Sequence, residues 1–118
     1  MRSTRRGRSN ASSSAQPPRA FVAVLVVHLH FPEVTNLKAK RKELAPVKAF
    51  LHGRMGAAVS EVDHQDRWQR ATLVAALTAG SAGRLGEAAD ALERWLDARF
   101  PSGVRVERTV ASLSDLQS

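Results

Sequence analysis

The alternation of hydrophobic and polar positions begins abruptly at Phe21 and predicts four strands. Residues 21–27 are apolar at every position, as in a central strand with neighbours on both sides, and His28 and His30 follow on one face. Residues 57–64 and 70–78 predict two strands around a turn. Residues 104–110 alternate between valine and polar side chains and predict a last strand.

Apolar positions spaced by three and four residues predict two helices between these strands. The first follows Leu37 and is marked by Leu44, Val47, Leu51 and Met55. Pro46 lies inside it and predicts a kink or a break near Lys42, because proline removes a hydrogen bond and clashes with the preceding turn. The second helix is marked by Leu85, Ala89, Leu92 and Leu96, a stripe that we expect to face the sheet.

The resulting order of elements, βαββαβ, favours an α/β (α+β) fold of the ferredoxin-like type. Right-handed crossovers then give an antiparallel sheet of order 4-1-3-2 with both helices on one face. The other face is left uncovered. If Val22, Val24 and Val26 line that face, it offers an apolar contact for a second copy of the chain.

The composition indicates one small domain at residues 21–118 of the 118-residue chain. Its hydrophobic content of 43% is ordinary for a protein with a packed core. The chain has no cysteine, which excludes disulfides, thiolate zinc sites and thiol catalysis. No apolar run is long enough to cross a membrane. We expect a cytoplasmic protein.

The formal charge of +7 is concentrated at the amino terminus. Residues 1–20 hold five arginines and no acid, whereas residues 21–118 hold 13 basic and 11 acidic side chains. A segment with so few large apolar residues predicts a disordered Arg/Ser-rich tail. A nucleic-acid-binding arm, an organelle transit peptide, a dispensable tail and an upstream start codon stay open as explanations.

The predicted topology brings the start of the first helix and the hairpin between the second and third strands to one edge of the sheet. The candidate RNA-binding residues at this edge are Lys38, Lys40, Arg41, Arg67, Trp68 and Arg70. Lysine and arginine neutralise phosphates, and an exposed tryptophan offers a face on which a base can stack. We therefore predict binding of RNA at this edge.

Structural explanations for the same residues stay open. Residues 38–42 are equally consistent with a solvated helix start. Trp68 is equally consistent with an indole that folds back over the hairpin and is buried there. Arg67 and Arg70 have acidic neighbours in the hairpin with which they can form exposed ion pairs. Such pairs contribute only about 0–1 kcal/mol.

Three histidines and two aspartates near this edge raise a metal site as a second hypothesis. His28, His30 and His64, with Asp63 or Asp66, supply nitrogen and oxygen donors. Their spacing matches no known ligand motif, so we predict no metal and no cofactor. Asp63 and His64 are adjacent on a strand and point to opposite faces, so we expect no enzymatic activity from them.

Two segments of the chain resemble the YlxP-like family of bacterial proteins. They are Asn-Leu-Lys-Ala-Lys-Arg at 36–41 and Glu-Val-Asp-His-Gln-Asp-Arg-Trp-Gln-Arg-Ala-Thr at 61–72, and the resemblance extends over about residues 21–110. It implies a ferredoxin-like fold, with Pro46 as a departure from the family's uninterrupted helix. The family has no established activity, and its gene neighbours imply a role near the ribosome.

Pattern and resemblance together predict a non-enzymatic bacterial protein that binds RNA or a ribosomal particle through the hairpin-and-helix edge. The alternative is a homodimeric protein-interaction module that associates through the uncovered sheet face and binds no nucleic acid. The two differ in salt dependence, because counterion release makes only RNA binding strongly sensitive to salt.

Overall fold

A four-stranded antiparallel sheet with helices packed against it forms the fold, an α+β arrangement as predicted. The computed structural model describes residues 18–64 and 66–118. The predicted tail at 1–20 lies outside the described residues except for residues 18–20, which form no regular element. The elements are β1 (Phe21–His30), α1 (Leu37–Gly53), β2 (Ala58–Asp63), β3 (Arg70–Ala79), α2 (Ala82–Arg99), β4 (Val104–Ser112) and α3 (Leu113–Gln117).

The sheet order is β2-β3-β1-β4, with β1 between two antiparallel neighbours. This central position explains the unbroken apolar run at the start of β1. The side chains of Ala23, Leu25, Val27 and Leu29 are buried in the core, whereas Val22, Val24 and Val26 between them are half-buried on the opposite, open face of the sheet.

The predicted inner stripe of α2 is confirmed. Leu85, Ala89, Leu92 and Leu96 are all buried and belong to the same hydrophobic core cluster as residues of β1 and β3. Ser81 precedes the helix in an extended conformation, and its side chain accepts a hydrogen bond from the Arg84 backbone. The cap and the apolar spacing therefore define this helix locally.

The first helix runs from Leu37 to Gly53 without interruption, so a break near Lys42 does not occur. Pro46 lies inside the helix, where proline costs about 3 kcal/mol. Leu44, Val47 and Leu51 are buried on one face, and each contributes about 1.5–3 kcal/mol by burial. Tertiary packing thus outweighs the local penalty.

The described chain ends with a short helix, α3, that the apolar pattern did not predict. Ser112 and Asp115 form a reciprocal capping box at its start. The Leu113 amide also donates a 2.8 Å hydrogen bond to the Ala20 carbonyl, which joins the two ends of the described domain. No helix in the described ranges is long and apolar enough to cross a membrane.

Candidate nucleic-acid interface

Lys40 of α1 is buried, and its ammonium group organises the loop between β2 and β3. Only 1% of the residue is exposed. Lys40 Nζ donates hydrogen bonds to the carbonyl oxygens of His64 (2.7 Å), Arg67 (2.7 Å) and Arg70 (2.9 Å). A lysine ammonium has three N–H groups, so these bonds use its full donor capacity.

The buried charge of Lys40 also has an acidic neighbour. Glu61 Oε2 on β2 lies 3.4 Å from Lys40 Nζ. An isolated buried ammonium would be strongly unfavourable, but a carboxylate and three oriented carbonyls compensate it here. The arrangement joins α1, β2 and the loop through one side chain.

This position removes Lys40 from the accessible surface on which it was predicted to contact RNA. The reason is its place on the helix, four residues before Leu44 and hence on the same buried stripe. That spacing was visible in the sequence. Burial of Lys40 was nevertheless not predicted, because lysine is almost never fully buried unless it is paired.

We call residues 64–70 the Trp68 loop. Its backbone begins with a left-handed residue, His64 at φ 64°, and the Arg67 amide donates to the His64 carbonyl at 3.0 Å. At its other end, the Gln69 carbonyl accepts a 2.8 Å hydrogen bond from the Phe31 amide. The Gln69 side chain donates to the Pro32 carbonyl at 3.3 Å. The described part of the loop is therefore held from α1 and from the β1–α1 connection.

The Trp68 loop presents its large side chains outward. Trp68 is 49% exposed, so the alternative in which its indole is buried over the hairpin is wrong. Arg67 and Arg70 are exposed, and no ion pair found among the described residues involves either guanidinium. An aromatic face and two cations are thus displayed where the backbone is hydrogen-bonded at Arg67, Gln69 and Arg70.

Lys38 and Arg41 lie in the first turns of α1 and are exposed. Asn36 caps the start of the helix, and its side chain accepts a 2.8 Å hydrogen bond from the Ala39 amide. Lys40 lies between the two exposed cations and is bonded to the Trp68 loop. The structure therefore keeps Lys38, Arg41, Arg67, Trp68 and Arg70 as surface residues of the predicted edge, without Lys40.

A depression of about 320 Å³ lies on the open face of the sheet at the same end. Its lining residues are His28, Leu29, His30, His64, Arg70, Ala71, Thr72, Ser102, Gly103, Val104 and Arg105. Arg70 also lines the neighbouring cleft that contains Trp68. Arg105 of β4 was not among the residues predicted to lie near these histidines.

Polar contacts within this depression centre on His28. Its Nδ1 lies 3.5 Å from the hydroxyl of the buried Thr72, and its Nε2 lies 3.4 Å from Glu107 Oε1. Arg105 donates a 2.8 Å hydrogen bond to Glu107 Oε2. The bond from Arg105, followed by that from His28, holds the pKa of the Glu107 carboxyl below its ordinary value.

The metal hypothesis gains no geometric support from these positions. Among residues 18–64 and 66–118, no group of three or more histidine, aspartate or glutamate side chains is arranged to hold a metal ion. The side chains that converge in the depression are cationic or neutral donors, which suit an anion better than a cation.

Comparison with known proteins identifies the family but no activity. No curated protein matches the chain. A family model described as "Protein of unknown function (DUF503)" matches residues 22–109, which include α1, α2, the Trp68 loop and all of the sheet except the first residue of β1 and the last three of β4. The chain therefore belongs to the DUF503 family.

Proposed function

We propose that this protein binds RNA through the basic edge formed by Lys38, Arg41, Arg67, Trp68 and Arg70. One observation carries the proposal: Trp68 is half-exposed on a loop whose backbone is held by the buried ammonium of Lys40. A structural tryptophan in a small domain would be expected to bury its ring. Here the buried hydrogen bonds hold the backbone while the ring stays accessible.

The energetics suit recognition of single-stranded or looped RNA. Stacking of a base on an exposed aromatic ring contributes about 1–3 kcal/mol, and it needs no particular sequence. Arg67 and Arg70 flank the ring and can neutralise phosphates on either side of a stacked base. A backbone that is already hydrogen-bonded at His64, Arg67 and Arg70 loses less conformational entropy on binding.

We also propose a more specific fold type, family identity, cellular location and role for this protein. A ferredoxin-like fold with sheet order 4-1-3-2 is supported by the observed order β2-β3-β1-β4, which runs 4-1-3-2 when counted from β4. A YlxP-like identity within the DUF503 family is supported by the segments at 36–41 and 61–72. A cytoplasmic, non-enzymatic protein that acts on a ribosomal particle follows from that resemblance.

The alternative, a homodimer that binds no nucleic acid, stays a prediction. It would use the apolar end of the open face, where Val22, Val24 and Val26 are half-buried in the single chain. Sedimentation equilibrium at high micromolar concentration tests it. A monomer there would exclude the dimer, and a dimer without RNA binding would replace the RNA proposal.

The proposal is tested by measuring how RNA affinity depends on salt. The protein would be purified with nuclease and titrated into a short fluorescein-labelled single-stranded RNA and into purified ribosomal subunits. The Arg67→Gln variant should bind more weakly and with a flatter salt slope, because one phosphate contact is lost. Arg94→Gln removes the same charge from an exposed position on α2 and is the matched control. Equal affinities for both variants and the unmodified protein would overturn the proposal.

A further inference from the structure

The depression on the open face combines five basic side chains that come from four separate segments. They are His28 and His30 of β1, His64 at the start of the Trp68 loop, Arg70 of β3 and Arg105 of β4. None of the described lining residues is acidic. Two hydroxyl groups, from Thr72 and Ser102, complete a lining that is rich in hydrogen-bond donors.

The sheet register explains why these side chains share one face. His28 is paired with Thr72 on β3 and with Arg105 on β4, and His30 is paired with Arg70. Paired residues of an antiparallel sheet project to the same side. The valines at 22, 24 and 26 continue this face away from the depression, so the open face has one basic end and one apolar end.

A close backbone contact shapes the wall of the depression. The His30 amide donates a 2.9 Å hydrogen bond to the Gly103 carbonyl. A Cβ atom at Gly103 would lie 2.8 Å from the His30 carbonyl oxygen, which no side chain tolerates without displacement. Glycine therefore allows the α2–β4 connection to lie directly against the end of β1 and form part of the wall of the depression.

Glu107 acts as a counterion at the rim of this depression. Its carboxylate contacts Arg105 at 2.8 Å and His28 at 3.4 Å. Two further carboxylates lie near this end of the sheet: Asp63 is paired with Thr72, and Asp66 lies in the neighbouring cleft together with Arg67. Both aspartates are exposed. An incoming anion would therefore compete with Glu107 for Arg105 and His28.

We propose that this depression binds a phosphomonoester, and that in the proposed RNA complex it holds the 5′-terminal phosphate. The identity of the RNA as the source rests on the proposed function, whereas binding of the phosphate group itself does not. A monoester carries about 1.5–2 negative charges and three free oxygens, which match a concave group of guanidinium, imidazole and hydroxyl donors. Arg70 lines both the depression and the Trp68 cleft, so a phosphate here lies beside the surface on which we place a stacked base.

In the first test, inorganic phosphate and adenosine 5′-monophosphate are each titrated into the protein. Binding is monitored by the NMR signals of the histidine rings. Phosphate should shift the signals of His28, His30 and His64 more than that of His52, which lies near the end of α1. Arg105→Gln should weaken binding about tenfold, because hydrogen bonds between charged partners are strong. Arg84→Gln, at an exposed position on α2, should leave the affinity unchanged.

A gain-of-affinity variant separates this proposal from simple loss of folding. Glu107→Gln releases Arg105 and His28 and should tighten phosphate binding about two- to fivefold, the range of an exposed ion pair. Glu93→Gln removes a carboxylate that is paired with Arg108 and should have no such effect. Unchanged or weaker binding by Glu107→Gln would overturn the proposed site.

The second test compares 5′-phosphorylated and 5′-hydroxyl forms of the same single-stranded RNA. Tighter binding of the phosphorylated form, lost in Arg105→Gln, supports the full proposal. If phosphate and the mononucleotide bind but neither RNA does, the site holds a free nucleotide and the proposed RNA function fails. If both RNAs bind equally and phosphate shifts no histidine signal, RNA binding stands and the depression is not a phosphate site.

Discussion

Lys40 Nζ and the carbonyl oxygen of His64 lie 2.7 Å apart, which joins a buried helix position to the left-handed first residue of the Trp68 loop. The same ammonium holds the Arg67 and Arg70 carbonyls on either side of Trp68. We therefore regard Lys40 as a positioning residue, which orders the loop without touching a ligand.

Replacing Lys40 by methionine should destabilise the protein by about 3–5 kcal/mol, because three carbonyls and Glu61 would lose a buried cation. Chemical denaturation measures the loss. Hydrogen exchange at the Arg67 amide, which donates to the His64 carbonyl, should accelerate more than exchange at the centre of β1.

Lys42→Met is the matched control for this prediction. Lys42 is exposed on the same helix, and surface changes of this kind alter stability by about 0.5 kcal/mol or less. Equal stabilities for the two methionine variants would contradict the role assigned to Lys40.

Leu92→Ala should reduce the free energy of unfolding by about 2–5 kcal/mol. Leu92 is 0% exposed in the inner stripe of α2, so truncation removes buried surface and leaves a cavity. Leu116→Ala, at a leucine that is 64% exposed on α3, should change stability little. A loss below half a kcal/mol for Leu92→Ala would mean that the stripe is not core.

Two glycine-to-alanine variants should change stability in opposite directions. Gly103→Ala places a methyl group 2.8 Å from the His30 carbonyl oxygen and should cost about 1–3 kcal/mol, with a shift in the His30 ring signal. Gly86→Ala adds a methyl group that meets nothing within 4 Å inside α2, and should stabilise by about 0.5–1 kcal/mol. Thermal unfolding of both variants checks the pair, and a stabilised Gly103→Ala would be inconsistent with the close contact.

The pKa of Glu107 should lie below its ordinary value of 4.5, because Arg105 and then His28 favour the ionised form. A carboxyl whose pKa is lowered by folding contributes stability above its unfolded pKa, and that contribution disappears as the pH falls through the folded value. Arg105→Gln should move the pKa of Glu107 back towards 4.5 in an NMR titration. An unchanged pKa would show that the ion pair does not form in solution.

Local patterns in the sequence were sufficient to predict the individual strands and α2. The apolar run of β1 and the stripe from Leu85 to Leu96 each depend on spacing within one element, and burial follows from that spacing. Continuity of α1 through Pro46 was not predictable, since it depends on packing against the rest of the core.

The candidate sites depend on contacts between distant segments. His28 and Arg105 are 77 positions apart and meet only through the register of β1 with β4. The backbone on both sides of the exposed Trp68 is held by Lys40, which lies 24 to 30 residues earlier in the chain. A single sequence contains no local signal for either relationship.

The most direct test of the RNA-binding proposal compares Trp68→Ala with Arg67→Gln in one salt series. Fluorescence anisotropy with the short labelled RNA measures affinity, and circular dichroism confirms that both variants are folded. Trp68→Ala should weaken binding by about 1–3 kcal/mol without changing the salt slope, whereas Arg67→Gln should flatten the slope by about one unit. If both folded variants bind the RNA as tightly as the unmodified protein, and with the same salt dependence, the Trp68 loop is not an RNA-binding surface.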